Sequence, residues 1–239
     1  YMNIKRDHMK VKNMTNNSYN ELKFVIIGQG SQIIELIRKM FSLEIMPNNL
    51  KIITVNGDFN LSCLEFLSYY SIDYDVCDKN NFKRKAYSTI ANFSPDIVIS
   101  FSNPFIIREE ILNLKTKFIN FHPGILPNYK GSLSTVHSLI NDEKFVGGTW
   151  HYLDKGIDTG NIIKIIKIPS KKNNAFALNH KIFCLGINCL QEIIEKVKNN
   201  YFGAKQEKTG NFYYRRFPDV SNLDIELQKR ILYFPPKFL

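Results

Sequence analysis

Apolar positions along this chain follow two alternating rhythms. Leu22–Ile27 (LKFVII), Lys51–Val55, Asp73–Cys77, Asp96–Phe101 (DIVISF) and Lys117–Phe121 (KFINF) are short runs rich in β-branched and aromatic residues, the pattern of buried strands. Between them, apolar residues recur at helical spacing. Ile33, Ile34, Ile37 and Phe41 mark a first helix that Ser31 could cap, and Leu61–Tyr70, Asn80–Phe93 and Arg108–Leu114 mark three more. Strands alternating with helices predict right-handed crossovers and an α/β domain with a Rossmann-like, mostly parallel, doubly wound sheet.

Beyond Pro123 the texture changes. Residues 123–132 (PGILPNYKGS) read as a Pro/Gly-rich loop, followed by a helix near Ser134–Ile140. Val146–Leu153 and Asn161–Ile168 then read as two strands, and Ala175–Lys198 as one long amphipathic helix. The expected organisation is a flexible N-terminal arm over residues 1–21, a catalytic domain over 22–200, and a small β-rich extension over 201–239 made of short strands and turns.

Charge divides the chain unevenly. The net charge is +10, but residues 24–163 carry 13 Lys/Arg against 14 acids, whereas residues 164–239 carry 14 against six. A neutral central region with a basic final third suits phosphate-bearing partners, either nucleic acid or an anionic metabolite. Cys63, Cys77, Cys184 and Cys189 include no CxxC pair, so they read as reduced core residues and not as a metal knuckle. The apolar runs fall far short of the ~20 residues of a membrane span. With no signal-peptide pattern at the start, a cytoplasmic protein is expected.

Three segments carry candidate chemistry. Gly28-Gln29-Gly30 ends the first strand, but Ile33 replaces the third glycine of a dinucleotide fingerprint, leaving a tight strand–helix turn. Asn120-Phe121-His122-Pro123-Gly124 ends a parallel strand, where ligands of open α/β sheets bind. Alternation puts Asn120 and His122 on one face and Phe121 on the other, with the imidazole expected at the rim. Asp158 lies between Gly156 and Gly160, in a turn that could bring its carboxylate into a cleft. If it meets His122 it would raise the imidazole pKa and orient the ring. His137, His151 and His180 show no metal-ligand spacing.

The ordered set Asn120-x-His122-Pro-Gly-Ile-Leu-Pro-x-Tyr-Lys-Gly131, Gly148-Thr149-x-His151 and Asp154-x-Gly-Ile-Asp158-x-Gly160 resembles the signature of folate-dependent formyltransferases, over roughly residues 22–170. The resemblance implies the formyltransferase fold and transfer of a formyl group from 10-formyltetrahydrofolate to an amine, with no metal. It makes Asn120, His122 and Asp158 the catalytic trio. Asn120 and His122 would stabilise charge on the formyl oxygen, His122 would take the amine proton, and Asp158 would hold His122 and relay the proton. It places the pterin near Phe105, Ile106 and Ile107 and along Leu153, Asp154 and Ile157.

Within that family the chain is most similar to the sugar-nucleotide N-formyltransferases. Its segment Gly210-Asn-Phe-Tyr-Tyr-Arg-Arg216-Phe-Pro-Asp219 through Asp224 resembles a stretch that follows their core. Methionyl-tRNA formyltransferases carry a further C-terminal barrel, and formyltetrahydrofolate deformylases an N-terminal regulatory domain. Glycinamide ribonucleotide formyltransferases usually have Ser where this chain has Gly124. The expected acceptor is a dTDP-linked amino sugar, foremost dTDP-4-amino-4,6-dideoxyglucose, for O-antigen or other surface polysaccharide. Asn103, Lys130, Tyr213 and Arg215 would contact it, by stacking on the base and pairing with the diphosphate. Glycinamide ribonucleotide and methionyl-tRNA are the alternative acceptors. The alternative of another class is a nucleotide- or RNA-binding module, against which the neutral core and intact trio argue. No membrane or nucleic-acid partner is expected, and the aromatic-rich C-terminus suggests a homodimer.

Overall fold

The computed structural model describes residues 19–171, 173–207, 210–213 and 217–232. Its centre is a seven-stranded sheet in the order β3-β2-β1-β4-β5-β7-β8. The first five of these are β1 (Phe24–Gly28), β2 (Leu50–Val55), β3 (Asp73–Cys77), β4 (Ile97–Phe101) and β5 (Lys117–His122), all mutually parallel. β7 (Phe145–Tyr152), antiparallel to β5, and β8 (Ile162–Pro169), antiparallel to β7, extend the edge. Helices α1 (Ser31–Ser42), α2 (Leu61–Tyr69), α3 (Phe82–Phe93) and α4 (Glu109–Leu112) link the parallel strands. Every residue of β1 and β4 is buried, as expected of strands covered on both faces.

One large apolar cluster packs α1, the inward faces of β1, β2 and β4, and the helix pair α6 (Ala175–Asn188) and α7 (Leu190–Lys198). A second cluster fills the other face with Val25, Ile27, Ile53, Val98, Phe118 and residues of α3. The sheet is thus sealed on both sides, and its polar chemistry is confined to the carboxyl ends of the parallel strands.

Several details differ from the sequence reading. Ser31 does not cap α1, because Gly30 holds the N-cap position with φ +75°, and its N–H donates to the buried Asn60 side chain at 2.8 Å. The expected single helix over 175–198 breaks at Cys189, whose ψ of −4° departs from helical geometry. Leu190, Ile193, Ile194 and Val197 bury a stripe of their own beyond the break. The arm expected over 1–21 falls mostly outside the described residues, but Tyr19 is buried and its hydroxyl donates to Glu195 at 2.6 Å. Packed chain therefore begins before residue 22.

The extension holds less strand than expected. Among its described residues are the three-residue β9 (Asn211–Tyr213) and the helix α8 (Ile225–Leu232). Leu223, Leu227 and Ile231, spaced four apart, pack on the main core, a helical period overlooked beside the neighbouring turn residues. β9 pairs in parallel with β6 (Tyr129–Gly131), so the segment read as a plain loop contains a strand.

Candidate active site

β5 and β7 set two polar residues opposite two others. In their antiparallel register Asn120 faces His151 and His122 faces Thr149. Phe121 points the other way, its ring 5.2 Å from that of Trp150 and 5.5 Å from that of Phe183. Gly148 and Gly186 make room for that ring, since a Cβ on either would lie 2.4 or 2.5 Å from it. The aromatic stack clamps β5 from behind and fixes the direction of Asn120 and His122.

His122 is not at the rim, as Pro123 had suggested, but 3% exposed. The loop after β5 folds back over it. Gly124 allows this close approach, since a Cβ there would stand 2.4 Å from His122 Nε2. The Thr149 hydroxyl pins the loop by donating to the Gly124 carbonyl at 2.7 Å and accepting from the Leu126 N–H at 3.1 Å. The Tyr129 carbonyl lies 2.5 Å from His122 Nε2, and the Ser134 hydroxyl, on α5 (Ser134–Ile140), lies 3.2 Å from it. A carbonyl can only accept, so Nε2 carries the proton of the neutral ring and Nδ1 is left as the base.

Nδ1 faces Asp158. Its distance to Oδ2 is 3.4 Å, and the same oxygen accepts the Gly131 N–H at 2.8 Å. Asp158 Oδ1 lies 3.5 Å from His151 Nε2. Asp158 reaches this position from a left-handed backbone, φ +54°, a conformation that non-glycine residues adopt infrequently. His151 donates from Nδ1 to the Tyr152 carbonyl at 2.8 Å, so its Nε2 is free to accept from the Asn120 amide at 3.0 Å. One Asn120 N–H is thereby engaged and the second left over.

Two opposed electrostatic forces meet in this cluster. Burial pushes the His122 pKa below its usual 6.5, and the nearby Asp158 charge and the Tyr129 carbonyl only partly restore it. Burial would raise Asp158, but His122, His151 and the Gly131 amide outweigh it and hold the carboxyl at about 2. Near neutral pH the protein thus sets an ionised carboxylate beside a neutral imidazole. A proton arriving at Nδ1 would be met at once by a counter-charge.

The predicted trio therefore converges, joined by His151. His151 falls within Gly148-Thr149-x-His151, a run that by itself assigns it no role. The signal was that motif, whose meaning depends on a strand pairing that spacing alone does not reveal. The other predicted positions scatter. Ile106 and Ile107 line an open cleft of about 500 Å³ together with Arg108, Glu109, Glu110, Asn113 and Lys155. None of the trio lines this cleft. Phe105 stacks on Phe82 at 4.2 Å, and Leu153 packs against the second core cluster. Asp154 organises its own turn, accepting from Gly156 N–H and the Thr159 hydroxyl. Ile157 is 43% exposed. Asn103 shapes the turn after β4 by donating to Ser100 Oγ and accepting the Phe105 N–H. Lys130 lies on β6 in register with Phe212. Tyr213 is stacked on Tyr129 at 5.5 Å and on His137 at 4.0 Å, so protein rings already engage it. Arg215 lies outside the described residues. Among the described residues no group of three or more His, Cys, Asp or Glu could hold a metal ion, and no helix is long and apolar enough to cross a membrane.

Comparison with known proteins places this cluster in context. The model of the formyl transferase family matches residues 23–182, the sheet and both strands that carry the cluster. The chain belongs to the formyl transferase family. A curated relative is GDP-perosamine N-formyltransferase of Brucella melitensis biotype 1, 31% identical over 159 residues, 63% of this chain and 61% of that protein. The chain thus spans about three fifths of the length of that formyl transferase. A solved N-formyltransferase of Helicobacter canadensis, in complex with folinic acid and dTDP-3-aminofucose, superposes with a TM-score of 0.65 at 23% identity. The match covers 81% of this chain and 71% of that one. Phosphoribosylglycinamide formyltransferase of Anaplasma phagocytophilum gives 0.66 at 21% identity, over 82% of this chain and 100% of that one. Both structures share the formyl transferase fold seen here.

Proposed function

We propose that this protein transfers a formyl group from 10-formyltetrahydrofolate to the amine of a nucleotide-linked amino sugar. The observation that carries the reading is the meeting of Asn120 and Asp158, both half-buried, with the buried His122 at the carboxyl end of β5, within a chain of this family. The donor supplies a formyl carbonyl: the amine nitrogen bonds to its carbon, the bond from that carbon to the folate nitrogen breaks, and tetrahydrofolate leaves with the proton that the amine gives up. The exposed Ile106 and Ile157 offer apolar walls that a flat pterin requires, beside backbone amides of the 105–107 and 153–157 segments.

The chain's own groups divide the remaining work. Asn120, with one N–H held by His151, presents the other toward charge developing on the formyl oxygen. His122 takes the amine proton at Nδ1, directly or through water, and Asp158 stabilises the imidazolium so formed. The burial of His122 excludes solvent that would weaken the second effect.

The sugar acceptor is favoured by relatives named for GDP-perosamine and by a neighbour bound to dTDP-3-aminofucose. The first substrate to test is dTDP-4-amino-4,6-dideoxyglucose, with GDP-perosamine and dTDP-3-aminofucose beside it. Product would be followed as a mass gain of one formyl group. One formylated sugar nucleotide establishes reaction and acceptor together, and the product would belong to surface-polysaccharide synthesis in the cytoplasm. No product from any of the three, with glycinamide ribonucleotide or methionyl-tRNA formylated instead, would overturn the sugar assignment. Asn103, Lys130, Tyr213 and Arg215 remain the proposed acceptor contacts and a homodimer the proposed assembly.

A further inference from the structure

Asp158 is held from two directions, and both start from residues outside the stretch matched by the family model. The side-chain amide of Gln206 donates to the Asp158 carbonyl at 3.0 Å and to the Gly160 carbonyl at 2.7 Å. Two acceptors converging on one nitrogen require an NH2 group there, and they fix which way the amide points. The Gln206 Oε1 is buried with no partner among the described residues, so the two N–H bonds alone set that orientation. The backbone before Gln206 is anchored. Ala204 and Ile162 exchange a pair of 2.7 Å hydrogen bonds, and the Asn161 side chain donates to the Phe202 carbonyl at 2.9 Å.

The residues so gripped form the turn in which Asp158 adopts φ +54°. Such a conformation persists only where neighbours over-determine it. The second hold comes a few residues later in the same extension. β9 pairs with β6, and the Tyr213 carbonyl accepts the Ser132 N–H at 3.0 Å, fixing the strand whose Gly131 N–H binds the Asp158 carboxylate. Residues 204–213 thus reach the Asp158 backbone through Gln206 and its carboxylate through Gly131.

We propose that Gln206 is a positioning residue: by bonding the carbonyls of Asp158 and Gly160 it holds the left-handed turn that aims the Asp158 carboxylate at His122. This rests on the proposed function only for its effect on turnover. The aim itself can be read independently, because the groups facing His122 are known. They are the Asp158 carboxylate, the His151 ring with its centroid 6.5 Å away, the Tyr129 carbonyl and the Ser134 hydroxyl. The Asp158 carboxylate is the one negative group among them.

The test uses the full chain with Gln206→Met, which keeps the shape and removes both donors, and Gln206→Ala as a second variant should methionine pack poorly. Lys205→Ala, an exposed neighbour, is the control. Two readouts are taken: the titration of the His122 imidazole by 15N NMR, assigned with His122→Asn, and the kinetics of formyl transfer. With the carboxylate off its aim, the His122 midpoint should fall by about one pH unit. Turnover should drop about 100-fold, with KM for donor and acceptor changed less than about twofold. Lys205→Ala should match the parent in both. An unchanged His122 midpoint in the folded Gln206 variants overturns the proposal, whatever happens to activity. So does a shifted midpoint with kcat intact. If the parent protein formylates no acceptor, the proposed function fails while the titration still decides the role of Gln206.

Discussion

Asn120, His122 and His151 stand on paired strands of the central sheet, whereas Asp158, the Tyr129 carbonyl and the Gly131 amide come from segments beyond its edge. The strand half is fixed by ladder register and by the Phe101, Phe121, Trp150 and Phe183 rings packed behind it. The peripheral half has no such backing. It is held by hydrogen bonds between distant segments, by the three-residue pairing of β6 with β9 and by residues at positive φ, Gly131 at +87° and Asp158 at +54°. The sheet thus supplies groups whose positions barely depend on one another, and the loops supply groups that stand or fall together. Substitutions in the first half should remove one function at a time, while those in the second should move several contacts at once.

The largest expected effect lies in the strand half. His122→Asn should lower kcat by about 1,000-fold through loss of the base. The ladder and the aromatic stack should keep the fold, as circular dichroism would report. Wild-type turnover in the folded variant would remove His122 from the chemistry. A smaller effect is expected at His151. Replacing it by phenylalanine takes the donor from the half-buried Tyr152 carbonyl, costing about 1 kcal/mol in denaturant unfolding. It also frees the Asn120 amide, and kcat should fall on the order of 10- to 100-fold. If His151→Phe loses stability but no activity, its bond to Asn120 is structural only.

Gly131 tests the peripheral half. A Cβ there would stand 2.2 Å from the Tyr213 carbonyl, and φ +87° disfavours any side chain. Gly131→Ala should therefore cost about 1–3 kcal/mol. By pushing β6 away from β9 it should disturb both the Gly131 amide on Asp158 and the Tyr129 carbonyl on His122. The expected signature is a joint loss of stability and turnover, unlike that of His122→Asn. A loss of stability with kcat untouched would show that the two halves are less coupled than their hydrogen bonds imply.

This division also explains what could be read from sequence. The parallel sheet was legible because β-branched runs bounded by helical periods leave few topologies. Asn120 and His122 were legible because strand alternation puts them on one face at a strand end. His151 lacked a role because its meaning lies in pairing with a strand some thirty residues earlier. β6 is three residues long beside Pro and Gly, too short to show a period. Gln206 carries no motif, and its contacts span 46 and 48 residues of chain. Local chemistry reveals groups that secondary structure orients, and it is silent where long-range hydrogen bonds do so.

Acid stability separates the two halves by the smallest and most graded effect. His122 titrates below 6.5 in the folded protein because burial disfavours its charge, so the unfolded chain takes up that proton first and stability should fall as pH drops below about 6.5. Asp158 has the opposite chemistry and the same consequence. Its folded pKa of about 2 lies under the ordinary 3.8, so its stabilisation is complete above about 4 and is lost as pH falls toward 2. The difference amounts to about 2 kcal/mol. Asp158→Asn keeps an acceptor for the Gly131 N–H but cannot ionise. It should remove the lower window from a plot of melting temperature against pH. The upper window should remain and extend to lower pH, since the charge that partly restores the His122 pKa is gone. If the variant instead follows the parent through both windows, Asp158 carries no charge-dependent share of stability, and its hold on His122 is weaker than the geometry indicates.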